Sequence, residues 1–144
     1  MEYNLFGRTG VQVSQLVLGC MMFGQKTDLD DTCRIVDRAI DEGINFLDTA
    51  DVYGGGASED FVGEALKRNS KRDRIFLATK VNGRMSDDPN DIGNSKLHIV
   101  NGLEASLKRL KTDHIDLYQL HRPTSHIAID ETLRAMDDLV SSGK

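Results

Sequence analysis

Between Leu16 and Leu139 the chain alternates short apolar runs with longer amphipathic stretches, and few folds accept that order. The apolar run in "QLVLGCMMFG" is stopped by Gly19 and Gly24 and is too short for a buried helix, so Leu16 to Gly19 reads as a first strand covered on both faces. "DLDDTCRIVDRAIDEG" follows, with acidic residues first, Cys33, Val36, Ala39 and Ile40 at helical spacing, and Gly43 as a stop. The pattern then repeats. Strand "INFLD" leads to a helix from Ser58 with Phe61, Val62, Ala65 and Leu66 inward. Strand "RIFLATK" leads to a helix from about Ser95 to Leu110. Strand "DLYQLH" leads to a helix from near Asp130 through Leu133, Met136, Leu139 and Val140. Parallel neighbours need a crossover, usually a helix, so the chain predicts four parallel βα units in one α/β domain over residues 1–144. Ahead of them, "YNLFGRTGVQVSQ" predicts a β-hairpin turning at Arg8-Thr9-Gly10.

Two architectures satisfy this order, a doubly wound sheet and part of a (β/α) barrel. After the first strand, "LGCMMFGQKTD" has neither a G-x-G-x-x-G nor a P-loop, which argues against nucleotide binding of those two kinds. At 144 residues and 39% hydrophobic content the chain can fill one core. Its net charge of −5, without a basic cluster, argues against nucleic-acid or membrane partners. No apolar run approaches the ~18 residues of a membrane span. Cys20 and Cys33 lack metal-ligand spacing, so no metal is expected. The start "MEYNLFGRTG" has no secretory pattern, and a reduced cytoplasmic setting is the expectation.

In parallel α/β folds, chemistry gathers at the carboxyl ends of the strands. Asp48 closes "NFLD" there, Tyr53 follows in "DVYGGG", Lys80 closes "RIFLATK" and His121 closes "DLYQLH". Each alone has an ordinary explanation: an aspartate as a cap, a lysine as the first solvated residue, a histidine bonded to backbone. Together, an acid, a phenol, an ammonium and an imidazole on one rim form a proton-handling set. A free phenol titrates near 10, so it donates a proton readily only when a nearby cation stabilises the tyrosinate left behind. Lys80 supplies that cation in this reading, Asp48 orients Lys80, and His121 hydrogen-bonds a substrate oxygen. Such a set suits carbonyl reduction, and because no side chain donates a hydride, it requires a nicotinamide cofactor.

These stretches resemble the aldo-keto reductases, a (β/α)8 (TIM) barrel family of NADPH-dependent carbonyl reductases. "NFLDTADVYGGGASEDFVGEAL" is similar to the family's signature around its aspartate and tyrosine. "IFLATKV" resembles the strand bearing its lysine, and "LKRLKTDHIDLYQLHRP" the strand bearing its histidine. By position the resemblance implies a catalytic tetrad of Asp48, Tyr53 as general acid, Lys80 and His121. It places Cys20, Met21 and Asp48 beside the nicotinamide and its ribose, with NADPH as cofactor and a small aldehyde or ketone as substrate. The hairpin resembles the cap on the barrel's bottom. The long Val81 to Ser95 loop resembles bacterial members related to potassium-channel β subunits, whose resemblance leaves a non-catalytic or redox-sensing role as the alternative.

A complete barrel takes ~250 residues. The expectation is therefore the N-terminal half of such a barrel, a truncated product, without the later strands that in the family hold the cofactor's amide and 2′-phosphate. Unpaired edges are expected to drive self-association or leave the chain marginally stable and inactive alone.

Overall fold

The computed structural model describes residues 1–144. A hairpin of β1 (Tyr3–Leu5) and β2 (Gln12–Ser14) is followed by a parallel sheet of β3 (Leu18–Gly19), β4 (Phe46–Asp48), β5 (Phe76–Val81) and β6 (Leu117–Leu120). The strands lie in sequence order, each paired with its successor, as successive βα units require. Between and after them run α1 (Leu29–Asp41), α2 (Ala57–Asn69), α3 (Lys96–Leu110) and α4 (Ile129–Ser141). The sheet with its covering helices is a partial barrel.

The helices start where the sequence supplies caps. Asp28 accepts from the Asp31 amide at the head of α1, and Ser95 accepts from the His98 amide at the head of α3. At the far end of α3, Lys111 takes a left-handed conformation and its amide returns to the Leu107 and Lys108 carbonyls. No helix is long and apolar enough to cross a membrane.

The strands' two-residue period assigns their faces. Leu47, Leu77 and Val81 point toward the helices and pack with Val36, Val62, Leu66, Ile99 and Leu103 in the main core. Phe46, Ala78, Phe76 and Leu117 occupy the opposite, inner face. Phe6 of the hairpin stacks against Phe46 and Phe76 with ring centroids 6.0 and 4.9 Å away, which closes the amino-terminal end of the sheet. Asn45 fastens the hairpin there, accepting from the Ser14 amide at 2.8 Å and donating to the Gln12 carbonyl at 3.0 Å. The opposite end, where β4, β5 and β6 finish, is left open for the polar residues.

Two expectations change. The first strand is only Leu18–Gly19, and Leu16 and Val17 are exposed, because β3 is an edge strand with one neighbour and is not covered on both faces. On α4 the buried residues are Thr132, Ala135 and Leu139, whereas Leu133 and Val140 face outward at 57% and 78% exposure. Leu133 and Val140 are seven residues apart and share a stripe, but α4 packs on α3 through the adjacent one. A short 3-10 turn, Arg72–Arg74, also precedes β5, where Arg72 donates to the Ile75 and His114 carbonyls, at 2.9 Å in each case.

Candidate active site

Asp48 and Lys80 reach the rim from the inner face of neighbouring strands, since Asp48 is in register with Ala78, two residues before Lys80. The Lys80 ammonium donates to Asp48 Oδ2 and to the Thr49 carbonyl, each at 2.7 Å. Lys80 is 14% exposed and Asp48 30%, so the pair is shielded but reachable from the open end. The second Asp48 oxygen accepts from Gln119 Nε2 at 3.3 Å. Gln119 is in register with Lys80 on β6 and therefore shares its face. Period two assigns Gln119 a face of its strand, but only the β5–β6 register sets it beside Lys80.

Tyr53 enters from the connection between β4 and α2. A 3-10 turn covers Tyr53–Gly56, with Gly54 at φ 60° and Gly55 at φ 64°. Two successive left-handed residues are strained for any side chain, so the glycines turn the backbone sharply and leave Tyr53 against the rim. The tyrosine ring meets the His121 imidazole edge-on, centroids 5.7 Å apart at 83°. Lys80 Nζ lies 5.1 Å from the Tyr53 ring centroid. His121 follows β6 directly, and its amide donates to the Val81 carbonyl at 2.8 Å, extending the ladder to β5. Burial and then the Lys80 and Arg122 charges hold the His121 pKa below its ordinary value, so its imidazole is neutral near pH 7.

All four expected residues are thus brought to one rim, the ammonium bonded to the carboxylate and the phenol ring packed between the ammonium and a neutral imidazole. The loops beneath are tied down. Asn94 Nδ2 donates to the Arg122 carbonyl at 2.8 Å, and Asn82 Nδ2 donates to Asn94 Oδ1 at 2.9 Å and Thr124 Oγ1 at 3.0 Å, joining the segments after β5 and β6.

Cys20 and Met21, expected beside a cofactor, differ from each other. Cys20 is wholly buried, and its amide donates to the Asp48 carbonyl at 2.8 Å. Its carbonyl accepts from Ser58 Oγ at 2.7 Å and from the Phe23 amide at 3.0 Å. Burial and the Asp48 charge push its thiol up to about 12, so it stays protonated. Cys20 therefore presents no free polar atom to the rim, whereas the neighbouring Met21 is 50% exposed.

A second layer of charge lies on the helix side of the sheet and had no local signature. Glu59 of α2 is fully buried and accepts from Arg109 Nε of α3 at 2.6 Å and from the Thr79 hydroxyl. Thr79 immediately precedes Lys80. Arg109 also runs beneath Gly56, where an added Cβ would lie 2.8 Å from its Cδ. The strand carrying Lys80 and the turn carrying Tyr53 are thereby buttressed by one ion pair.

The sequence matches the profile of the Aldo/keto reductase family over residues 15–144. It is 45% identical to an uncharacterized oxidoreductase of Bacillus subtilis, YrpG, across all of this chain and 47% of that protein. A probable voltage-gated potassium channel subunit beta of Arabidopsis thaliana is 38% identical across 99% of this chain and 44% of its own. The holo form of an aldo-keto reductase from Bacillus halodurans superposes with a TM-score of 0.89 at 43% identity, over 99% of this chain and 47% of that one. The chain spans about half the length of the curated relatives it matches. With the profile, the sequence likeness and the fold all in agreement, the chain belongs to the aldo/keto reductase family.

Proposed function

We propose that this chain is the proton-handling portion of an NADPH-dependent reductase that converts a small aldehyde or ketone to an alcohol. The observation that carries the reading is the Lys80 ammonium, fixed at 2.7 Å by Asp48 and lying 5.1 Å from the Tyr53 ring. A cation so placed stabilises the phenolate that remains when Tyr53 gives its proton to the carbonyl oxygen. Asp48, held on its other oxygen by Gln119, fixes the ammonium in place, and the neutral His121 donates one N–H to the same carbonyl oxygen and orients it. A nicotinamide supplies the hydride when bound. This chain's share of its binding is one corner, where the exposed Met21 thioether offers apolar contact and Asp48 an acceptor for a hydroxyl. β3 and β4 pair at Gly19 and Asp48, and this register, two residues before Met21, supports a shared corner for Met21 and Asp48.

The decisive variant is Tyr53→Phe, made in a chimera of this chain with the remaining half of YrpG. NADPH binding is read by its fluorescence and turnover with an aromatic aldehyde. The expected outcome is undiminished NADPH binding with turnover reduced at least ~100-fold, the scale of general acid catalysis. Equal turnover in the variant contradicts the proposal. The likeness to channel β subunits supports a second reading, a redox-sensing subunit, and NADPH binding with no turnover in the parent chimera favours it.

A further inference from the structure

The parallel sheet ends on two unpaired strands, β3 on one side and β6 on the other, and the helix beside each carries exposed apolar residues. Beside β6 a groove of about 390 Å³ is walled by Leu117, Tyr118, Met136, Leu139 and Val140. Ile129 and Leu133 extend it along α4, on one exposed stripe with Val140. Glu131 and Asp138, which accept from Lys96 of α3, stand on the other side of that helix. Beside β3 the matching surface is α1, where Ile35, Ala39 and Ile44 form a shallow apolar patch. α1 meets α2 through its opposite side, Asp37 accepting from Asn69 at 2.7 Å.

The margins of the two faces differ in charge. The α4 stripe is edged by Asp130 and Asp137, both exposed, with Arg134 farther round the helix. The α1 patch is edged by Arg34 and Arg38, 77% and 78% exposed, whose carboxylate partners Asp31 and Glu42 stand on the same helix. Ion pairs so exposed contribute little, and a guanidinium has five donors, so both arginines keep donors for a second carboxylate. The α4 margin therefore suits the α1 margin of another molecule better than its own kind. Within the chain α1 packs on α2, α2 on α3 and α3 on α4, and α4 on a second copy's α1 continues that ring. Four parallel strands are half of eight, the number at which a barrel closes with its interior filled by side chains. We propose that two copies of this chain form one closed eight-stranded barrel, β6 of each pairing with β3 of the other and α4 of each packing on the other's α1. A two-fold axis along the barrel keeps every strand parallel, so both Tyr53 rims open at the same end.

The inference does not depend on reductase activity and is tested without it, by sedimentation equilibrium of the 144-residue chain. One variant, Arg34→Glu with Arg38→Glu, reverses the α1 margin; another, Asp130→Lys with Asp137→Lys, reverses the α4 margin. The parent chain is expected to associate to a dimer and no further. Either variant alone is expected to raise the dimer's Kd at least about tenfold, since each reversal sets like charges against each other at both joins. An equimolar mixture of the two variants is expected to return the Kd to within about threefold of the parent's, because both joins of the mixed dimer again bring opposite charges together. Both variants keep a net negative charge, so overall attraction does not produce that recovery. Leu133→Lys, at a position 57% exposed in the single chain, is expected to raise the Kd at least about tenfold as well, and keeps the test open should a reversal unfold the chain. A monomer at all concentrations, growth past the dimer into open chains, an unchanged Kd in Leu133→Lys, or a mixture of folded variants no tighter than its components overturns the proposal.

Discussion

His121 illustrates how one side chain is tuned by its neighbours. Burial, Lys80 and Arg122 all disfavour its imidazolium, so its proton NMR titration is expected to have a midpoint below 6.5, and Lys80→Met is expected to move that midpoint upward. An unchanged midpoint in the variant means that Lys80 is not facing the ring. Asp51 has the opposite sign for a carboxyl. Its folded pKa of about 6 lies above the ordinary 3.8, so the folded state binds more protons between these values. The contribution to stability is complete below about pH 3.8 and is lost as pH rises through about 6, amounting to about 2–3 kcal/mol. Asp51→Asn is therefore expected to raise the melting temperature at pH 7.5 and to flatten its fall between pH 4 and 6, as calorimetry can read. A lower melting temperature with the same pH slope contradicts this. At this scale Asp48, Tyr53, Lys80 and His121 were legible because each sits at or just beyond a strand end, a local property. Gln119 lies 71 residues from Asp48, and Arg109 lies 50 from Glu59, so their partnerships exist only once strands and helices have packed.

At the scale of elements, the arrangement depends on α2 and α3 approaching closely. Gly63 makes that possible, since a Cβ there would stand 2.4 Å from the Arg109 carbonyl oxygen and 2.7 Å from the Leu110 backbone. Those contacts are with backbone and cannot turn aside, so Gly63→Ala is expected to cost about 1–3 kcal/mol by urea denaturation, the range for overpacking. Arg109→Met should cost more, about 3–5 kcal/mol, because it leaves the Glu59 carboxylate buried without its cation. A neutral result for Arg109→Met would mean that the ion pair does not brace Thr79 and the Tyr53 turn. Helices were readable to within a residue or so, as at Ser95 and Ser58, because caps and glycine stops are written locally. The faces of α4 and the length of β3 were not, because which stripe is buried depends on which neighbours are present. Leu133, Val140, Leu16 and Val17 all read as core by composition and lie exposed.

The whole molecule presents two sheet edges, β3 and β6, and an inner face whose apolar residues reach only to the level of Ala78. Exposed edges with apolar flanks pair with other strands. Sedimentation velocity is expected to show concentration-dependent self-association, reduced by Val17→Lys beside β3, whereas a monomer at all concentrations would contradict it. The four βα units were legible in their order, but that order admits doubly wound and barrel forms alike, and only the family resemblance favoured the barrel. The proposed function requires Tyr53 and Lys80 to act as one unit in proton transfer. A double-mutant cycle in the chimera with YrpG's remaining half tests it most directly, using single-turnover rates for Tyr53→Phe, Lys80→Met and the pair together. Groups that serve one step are not additive, so the double variant is predicted to be no slower than the slower single variant. Losses that multiply, each substitution exacting its full factor in the presence of the other, would mean that the two residues act separately and would contradict the proposed proton transfer.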